Sequence, residues 1–595
     1  MHPYTAPIRD MKFIMFDILK IQETGNAIPA YADATPDIVS AILEEAGKFC
    51  SNVLQPINRS GDEVGCTFDN GVVKTAPGFK NAYDKFVEGG WPGLACDPGY
   101  GGQGLTSPVN FAFDEMISSA NLSFGLFPLL TQGVYYALEA HATEELKNIY
   151  LPKMVAGTWT GTMNLTEPHC GTDLGLIKTR AEPQPDGTFK IYGTKIFISA
   201  GEHDLAENIV HLVLAKLPEA PAGVRGISLF VCPKYLPKPD GSPGERNAVA
   251  CGSLEKKMGI KASPTCVMNY DGAKAWLVGT PHKGLSAMFT MMNAARLAVG
   301  IQGLGVAEAA YQGAVDYARN RLQMRAPTGA KYPDKPADPI IVHPDIRRML
   351  MRTKAMTEGC RALAMWIGLE LDISLHHPDA ERRQTAEDLV ALMTPIVKVM
   401  LTDHGFAASN DAMQIHGGHG YIREWGMEQL ARDARITQIY EGTNGIQALD
   451  LVGRKLPTGL GRMARRFFHQ VGEYIAKREA NPFTAPHIAP LAKAFGRLQQ
   501  TTLWLGKAGL SNPDEAGAAA TEYLRMFGLV AIGFMWSRMA EKAFKLNMGG
   551  ADEFYAAKIA TAQFYMAKIL PETGSLMSSI MAGSAPVMAL KEDAF

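Results

Sequence analysis

The sequence predicts an α+β chain with segregated layers: an N-terminal helical domain, a central β domain, a helical bundle and a further helical domain at the C-terminus. Two observations carry this. The hydrophobic period is helical to about Met154, shortens toward two between about Thr158 and Val278, and becomes helical again after Gly284. A second break, Lys455-Leu456-Pro457-Thr458-Gly459, separates the bundle from more helical sequence behind it. The expected divisions are an arm over 1–34, a helical domain over 35–157, a β domain over 158–282, a bundle over 283–455 and an extension over 456–595.

In the arm, Lys12 and Asp17 interrupt an apolar stretch that no basic region precedes, so an arm packed on the body fits better than a signal peptide or a spanning helix. Val39, Ile42, Leu43 and Ala46 then form one helical stripe, with Asp37 as N-cap or first-turn acid. The glycine- and proline-dense stretch Gly89–Leu105 must be a loop. Strands are expected over Phe189–Ser199, Ile209–Leu217 and Gly226–Cys232, and long helices over Leu285–Asn320, Pro344–Ile373 and Ala386–Met413. The extension reads as helices over Met463–Arg478, Pro490–Leu510, Ala516–Asn547 and Ala551–Leu570. Its most apolar run, Met526–Trp536, is shorter than the ~20 residues a membrane helix needs, so no membrane span is expected.

A formal charge of −2 supplies no global field for nucleic acid or an anionic membrane, so an anionic substrate must be gripped by a few placed residues. Eight cysteines without Cys-x-x-Cys spacing argue against a disulfide framework or zinc cluster and suit a reducing, cytoplasmic compartment.

Four blocks carry candidate chemistry. Met163–Leu174, at the entry to the β domain, offers hydroxyls and backbone N–H groups to a planar heterocycle, although such a segment alone is more often a plain polar turn. In Gly193–Gly201, alternation puts Phe197 and Ser199 on one face, a ring to stack beside a flavin and a hydroxyl to reach it; the bland alternative is a core aromatic. Arg321-Leu322-Gln323-Met324 follows a long helix carrying Arg296, and guanidinium forks suit pyrophosphate, though a single arginine there is usually a solvated charge. The most specific block runs Gln414-Ile415-His416-Gly417-Gly418-His419-Gly420-Tyr421, then Arg432-Asp433-Ala434-Arg435, then Ile439-Tyr440-Glu441-Gly442-Thr443-Asn444. Its glycines let backbone run against a ligand, and Glu441 sits where its carboxylate can face a cleft. His416 and His419 lack the further ligands a metal site needs, and no metal is expected.

In this order and at these separations the blocks resemble the acyl-CoA dehydrogenase family over roughly Asp37 to Leu456. The resemblance implies a four-helix bundle for the third domain and an FAD held between it and the β domain, contacted in part by a neighbouring subunit. It implies that Met163, Leu165, Thr166, Phe197 and Ser199 meet the isoalloxazine side, that Arg321, Gln323, Gln414, Gly417 and Gly418 meet the pyrophosphate end, and that Thr443 completes the cofactor site. Thr172, Arg296 and Gly442 match positions near the CoA ester, and Glu441 matches the base that removes the α-proton while hydride leaves the β-carbon. Members that place the base one residue before the matched arginine have no counterpart here, because that residue is Ala295. Two departures are Gly445, where glutamine is common, and Met324, where phenylalanine is usual.

The arm and the extension resemble the bacterial branch that acts on 3-methylmercaptopropionyl-CoA in dimethylsulfoniopropionate breakdown. The implied partners are an acyl-CoA substrate, electron-transferring flavoprotein as acceptor, and a second copy of the chain in a homodimer. Four alternatives remain: an acyl-CoA dehydrogenase for other short or medium chains, an acyl-CoA oxidase, an inactive acyl-CoA-binding scaffold, and a DNA-associated flavoprotein. The last has thin support, since residues after Leu456 hold fifteen Lys and Arg against eleven Asp and Glu and only Arg462, Arg465 and Arg466 cluster.

Overall fold

The apolar stripe of Val39, Leu43 and Ala46 is buried in a helix whose first turn carries Asp37, so the earliest periodic signal forms the element it predicts. The computed structural model describes residues 2–481 and 484–595. In chain order come α1 (Ile8–Lys12), α2 (Ile21–Ala27), α3 (Pro36–Phe49) and α4 (Asn58–Val64), a hairpin of β1 (Thr67–Asp69) and β2 (Val72–Lys74), then α5 (Phe79–Glu88), α6 (Ser107–His141) and α7 (Glu144–Val155). Strands β3 (Trp159–Asn164), β4 (Arg180–Pro183), β5 (Phe189–Ser199), β6 (Asn208–Lys216), β7 (Ile227–Pro233), β8 (Tyr235–Pro237), β9 (Pro243–Arg246), β10 (Val249–Leu254) and β11 (Thr265–Val278) follow. After them come α8 (Gly284–Asn320), α9 (Pro344–His376), α10 (Ala380–His416), α11 (Met427–Arg435) and α12 (Asn444–Asp450). The extension holds α13 (Arg462–Ala476), α14 (Ala485–Ser511), α15 (Pro513–Leu546), α16 (Glu553–Phe564) and α17 (Thr573–Met581).

The chain divides into two compact units, one of Met1–Gly47, Thr106–Ser119 and Val299–Phe595, the other of Lys48–Leu105 and Ala120–Ala298. Three of the divisions fall inside helices, α3, α6 and α8, and the fourth falls just before α6. In α6 the helical dihedrals fail at Asn121 (φ −162°, ψ 91°), whose side chain accepts from Phe124 N and donates to the Leu54 carbonyl, bridging the broken turn.

The second unit is built on a seven-stranded sheet ordered β10-β11-β5-β4-β6-β3, with β7 paired to both β11 and β6 so that the sheet closes on itself. Closure explains why β6 and β7 read as continuous apolar runs: nearly every residue is buried, with Val213, Ala215, Phe230 and Cys232 in the sheet core. All eight cysteines are free thiols.

The first unit holds the long helices. Gly303 and Gly405 bring α8 and α10 into backbone contact, since a Cβ at Gly303 would strike the Leu401 carbonyl and one at Gly405 would strike Gly303. Within this unit a largely buried ionic network is drawn from five distant segments. Arg361 of α9 pairs with Asp10 of α1 (2.5 Å), Glu115 of α6 (2.6 Å) and Glu308 of α8 (2.6 Å). Lys558 of α16 pairs with Asp10 and with Glu358 of α9 (2.7 Å), which also holds Lys354. Burial pushes the Glu115 carboxyl up to about 7 against the pull of Arg361.

The apolar run Met526–Trp536 is only part of a longer apolar helix. Three helices are long and apolar enough to cross one by length and composition: Gly284–Asn320, Ala380–Tyr421 and Pro513–Leu546, the last enclosing Met526–Trp536. Of their most apolar windows 56%, 78% and 78% lie buried inside the fold, which gives that apolar character a packing role. Arg462 and Arg466 of the basic cluster both pair with Asp388, and Arg465 donates to the Leu460 carbonyl, so those charges are engaged internally.

Candidate active site

The Glu441 segment is a strained turn held from several sides. After α11 the chain makes a 3-10 turn over Ile436–Gln438 and enters two consecutive left-handed residues, Glu441 (φ 56°) and Gly442 (φ 83°). Glycine adopts this region freely; glutamate does so at a cost of about 1–3 kcal/mol that the surroundings must offset. Thr443 then N-caps α12, its hydroxyl accepting from Ile446 N at 3.3 Å.

The surroundings are polar and range from half-buried to buried. Lys398 of α10, fully buried, donates to the Gly442 carbonyl (3.1 Å) and to Asn444 Oδ1 (2.7 Å). Asn444 Nδ2 donates to Thr402 Oγ1 (3.1 Å) and Asp403 Oδ1 (2.7 Å), and Asp403 also accepts from Gln438 Nε2 (2.7 Å). Gln447 Nε2 donates to the Glu441 carbonyl at 3.2 Å, and the Tyr440 hydroxyl donates to Gln302. Burial first, then the charge of Glu441, pushes the Tyr440 hydroxyl far above its usual range, so it stays a neutral donor.

In the same unit, α10 ends at His416 and a 3-10 turn carries Gly417–Tyr421. Gln414, Gly417 and Gly418 are exposed, and a Cβ on either glycine would meet nothing within 4 Å. The two histidines serve packing: His416 stacks on Tyr317 with centroids 4.2 Å apart, and His419 stacks on Trp425 at 4.6 Å while its Nδ1 bonds the Tyr317 hydroxyl. Arg321 and Gln323 lie exposed on the loop after α8, and Met324 is left-handed (φ 60°). That loop is organised by the buried Asp338, which accepts from the N–H groups of Ala326, Lys331 and Tyr332.

The second unit carries the other expected residues. Met163, Leu165 and Thr166 leave the end of β3, and a buried ion pair fixes their path: Lys195 donates to the Leu165 carbonyl (3.0 Å) and to Glu167 (2.8 Å). Glu167 also accepts from Thr179 Oγ1 (2.6 Å) and Lys178 N (2.7 Å), and Ile196 N donates to the Thr166 carbonyl, so the segment is tied to β5. Glu167, His169 and Cys170 bring ligand-type atoms within 4.8 Å of one another, but the ammonium and hydroxyl already engage that carboxylate.

Simple alternation does not account for Phe197. The β5–β11 register slips between Lys195 and Ile198, and Phe197 sits in that bulge with φ 59° and 59% of its surface exposed. Ser199 pairs with Thr265, with Ile198 buried between it and Phe197. Thr172 is exposed, while Arg296 is buried on α8 and donates to Asn293 at 3.3 Å. Ala295, the position before it, is buried and apolar.

Sequence reasoning missed the supports. Lys398 had a signal, a single charge inside Pro395-Ile396-Val397-Lys398-Val399-Met400-Leu401, where an apolar helix would bury it. Lys195 and Glu167 stood inside the quoted blocks without a role. Asn444 likewise closed a quoted block without a role, and Gln447 had no signal beyond adjacency to Glu441.

Matches to known families cover most of the chain: acyl-CoA dehydrogenase N-terminal domain over residues 38–158, middle domain over 162–273 and C-terminal domain over 282–456, with an acetyl-CoA dehydrogenase C-terminal-like domain over 467–591. The chain is 44% identical over 580 residues to 3-methylmercaptopropionyl-CoA dehydrogenase of Ruegeria pomeroyi, covering 97% of this chain and 98% of that one. It is 33% identical over 614 residues to a butyryl-CoA dehydrogenase of Syntrophomonas wolfei, covering 100% and 99%. In fold it is similar to Caenorhabditis elegans ACDH-11 in complex with C11-CoA, with TM-score 0.78 at 18% identity over 96% of this chain and 92% of that one. Full-length identity of this order, four matched domains in sequence and a glutamate held on a strained, clamped turn lead to one conclusion: the chain belongs to the acyl-CoA dehydrogenase family of FAD-dependent oxidoreductases.

Proposed function

We propose that this enzyme desaturates the α,β bond of a short acyl-CoA, with Glu441 as the base and 3-methylmercaptopropionyl-CoA as the preferred substrate. The observation that carries the assignment of the base is the left-handed Glu441 on its clamped turn, with Ala295 at the alternative position. The full-length relative of Ruegeria pomeroyi supports the substrate.

The residues present fit FAD. Exposed Phe197 on the β5 bulge offers a ring face, the open backbone at Gly417 and Gly418 admits close approach, Arg321 and Gln323 suit a pyrophosphate, and Ser199 would supply a hydroxyl. Met163, Leu165 and Thr166 would complete the ring side, and Gln414 and Thr443 the remainder. When bound, FAD supplies the acceptor for the β-hydride.

The chain's own groups do the rest. Glu441 takes the α-proton as the β-hydrogen departs with its electron pair, so two electrons and two hydrogens leave the substrate and a 2-enoyl thioester remains. The Glu441 backbone N–H would stabilise negative charge developing on the thioester oxygen. Thr172, Arg296 and Gly442 would seat the CoA ester. Electron-transferring flavoprotein then reoxidises the enzyme, which works as a homodimer.

Anaerobic mixing with 3-methylmercaptopropionyl-CoA and butyryl-CoA in parallel tests the assignment. Wild type bleaches its flavin, faster with the first, and Glu441→Gln slows bleaching by roughly 10³-fold while retaining FAD. A variant that bleaches at the wild-type rate removes Glu441 from the role, and a faster reaction with butyryl-CoA reverses the substrate order.

A further inference from the structure

We propose that Lys398 is a positioning residue for proton abstraction, acting through the backbone that carries Glu441. The proposal rests on the reading of Glu441 as the base and extends it to a residue outside every recognised block.

Two consecutive left-handed residues make a turn that a free chain does not hold, because the glutamate side chain crowds its own backbone there. A relaxed turn would rotate the Glu441 and Gly442 peptide planes, moving the carboxylate and re-aiming the backbone N–H together. Each carbonyl of the pair is tied down: Gln447 donates to that of Glu441, and Lys398 donates to that of Gly442. Lys398 reaches further, gripping Asn444 Oδ1, which leaves the Asn444 amide hydrogens for Thr402 and Asp403.

The grip is anchored in rigid structure. Lys398 and Thr402 are one helical turn apart on α10, and that stretch lies against α8, where Gly300 and Gly303 face the backbone of Lys398 and Leu401. An ammonium is suited to the task, because one side chain donates to two acceptors in different directions and its charge strengthens both bonds. A neutral, shorter donor could not reach both.

The test uses FAD-loaded Lys398→Met and Lys398→Arg, with wild type run beside them, mixed anaerobically with whichever thioester bleaches wild type. Lys398→Met should retain FAD and bind the enoyl product within about threefold of wild type, while its flavin-reduction rate falls about 100-fold, the scale of an ångström's misplacement of a reacting group. Lys398→Arg, keeping the charge and two or more donors, should recover part of that loss. The kinetic isotope effect with α-deuterated substrate should rise in Lys398→Met while that with β-deuterated substrate does not, a signature that a merely structural role would leave unmoved. A folded Lys398→Met that reduces its flavin at the wild-type rate with wild-type isotope effects overturns the proposal.

If Lys398→Met does not fold, Asn444→Ala removes one of the two acceptors. A reduction rate about tenfold lower supports the clamp, and an unchanged rate overturns it. A wild type that no thioester bleaches overturns the functional reading and this inference with it. A bleaching wild type beside an equally fast Lys398→Met overturns this inference alone.

Discussion

Two lysines of the first unit are removed from solvent, and the structure uses them differently. Lys558 pairs with the carboxylates of Asp10 and Glu358, residues 548 and 200 positions away, and joins the arm and α9 to the extension. Lys398 directs hydrogen bonds to a backbone carbonyl and a side-chain amide that together shape one turn. The first knits distant segments, and its loss should appear in stability. The second fixes local geometry, and its loss should appear in rate.

The largest effect expected from this contrast is at the centre of the ionic network. Arg361→Met leaves Asp10, Glu115 and Glu308 buried beside one another with their main cation gone. Removing one partner of a buried ion pair costs about 3–5 kcal/mol. Denaturant unfolding of the FAD-loaded protein should therefore show a loss of that size, with the reduction rate of the surviving folded enzyme nearly unchanged. A loss under about 1 kcal/mol, or a slowed reduction in folded protein, would break the distinction between lock and clamp.

How much of this was legible beforehand depends on what kind of residue carries each role. Glu441 sits in a dense block of glycines and aromatics, and α8 and α10 obey their periods, so the candidate base and the helical scaffold could be read from the chain. Phe197 was legible as a candidate but its geometry was not, because a bulge is set by pairing between strands and leaves no mark in one strand's alternation. The ionic network was invisible for a similar reason: Asp10, Glu115, Glu308, Arg361 and Lys558 are scattered along the chain, and only tertiary packing collects them. Lys398 lay between these cases. Its apolar neighbours announced burial, but the partner that explains it lies 44 residues away.

A smaller effect should appear in pH dependence. Glu115 is held up to about 7 in the folded protein, above its usual value, so the native state binds a proton that the unfolded state releases between about pH 4.5 and 7. Its contribution is fully present below the unfolded pKa and is lost as pH rises through the folded one, an amount of up to ~3 kcal/mol at 1.36 kcal/mol per unit. Glu115→Gln, which cannot lose a proton, should flatten the part of the stability–pH curve between pH 5 and 7 that this residue causes. An identical slope in wild type and variant would mean that other carboxylates set it; Asp114 and Asp372, also raised to about 7 by burial, would then be the ones to replace.

The smallest effect separates local structure from cofactor contact at one hydroxyl. Thr443 Oγ1 accepts from Ile446 N as the cap of α12, and its hydrogen remains available to donate. Loss of the cap alone in Thr443→Ala should cost about 1 kcal/mol of stability. If the hydrogen is directed to FAD, the same variant should also bind FAD roughly fivefold more weakly, the worth of one hydrogen bond, and Thr443→Ser should restore both. Thr443→Asp supplies the decisive arm, because a carboxylate caps the helix as well as a hydroxyl but has no hydrogen to give. Stability restored with FAD affinity still low would assign the residue to cofactor and cap together, whereas affinity restored along with stability would leave Thr443 a capping residue only.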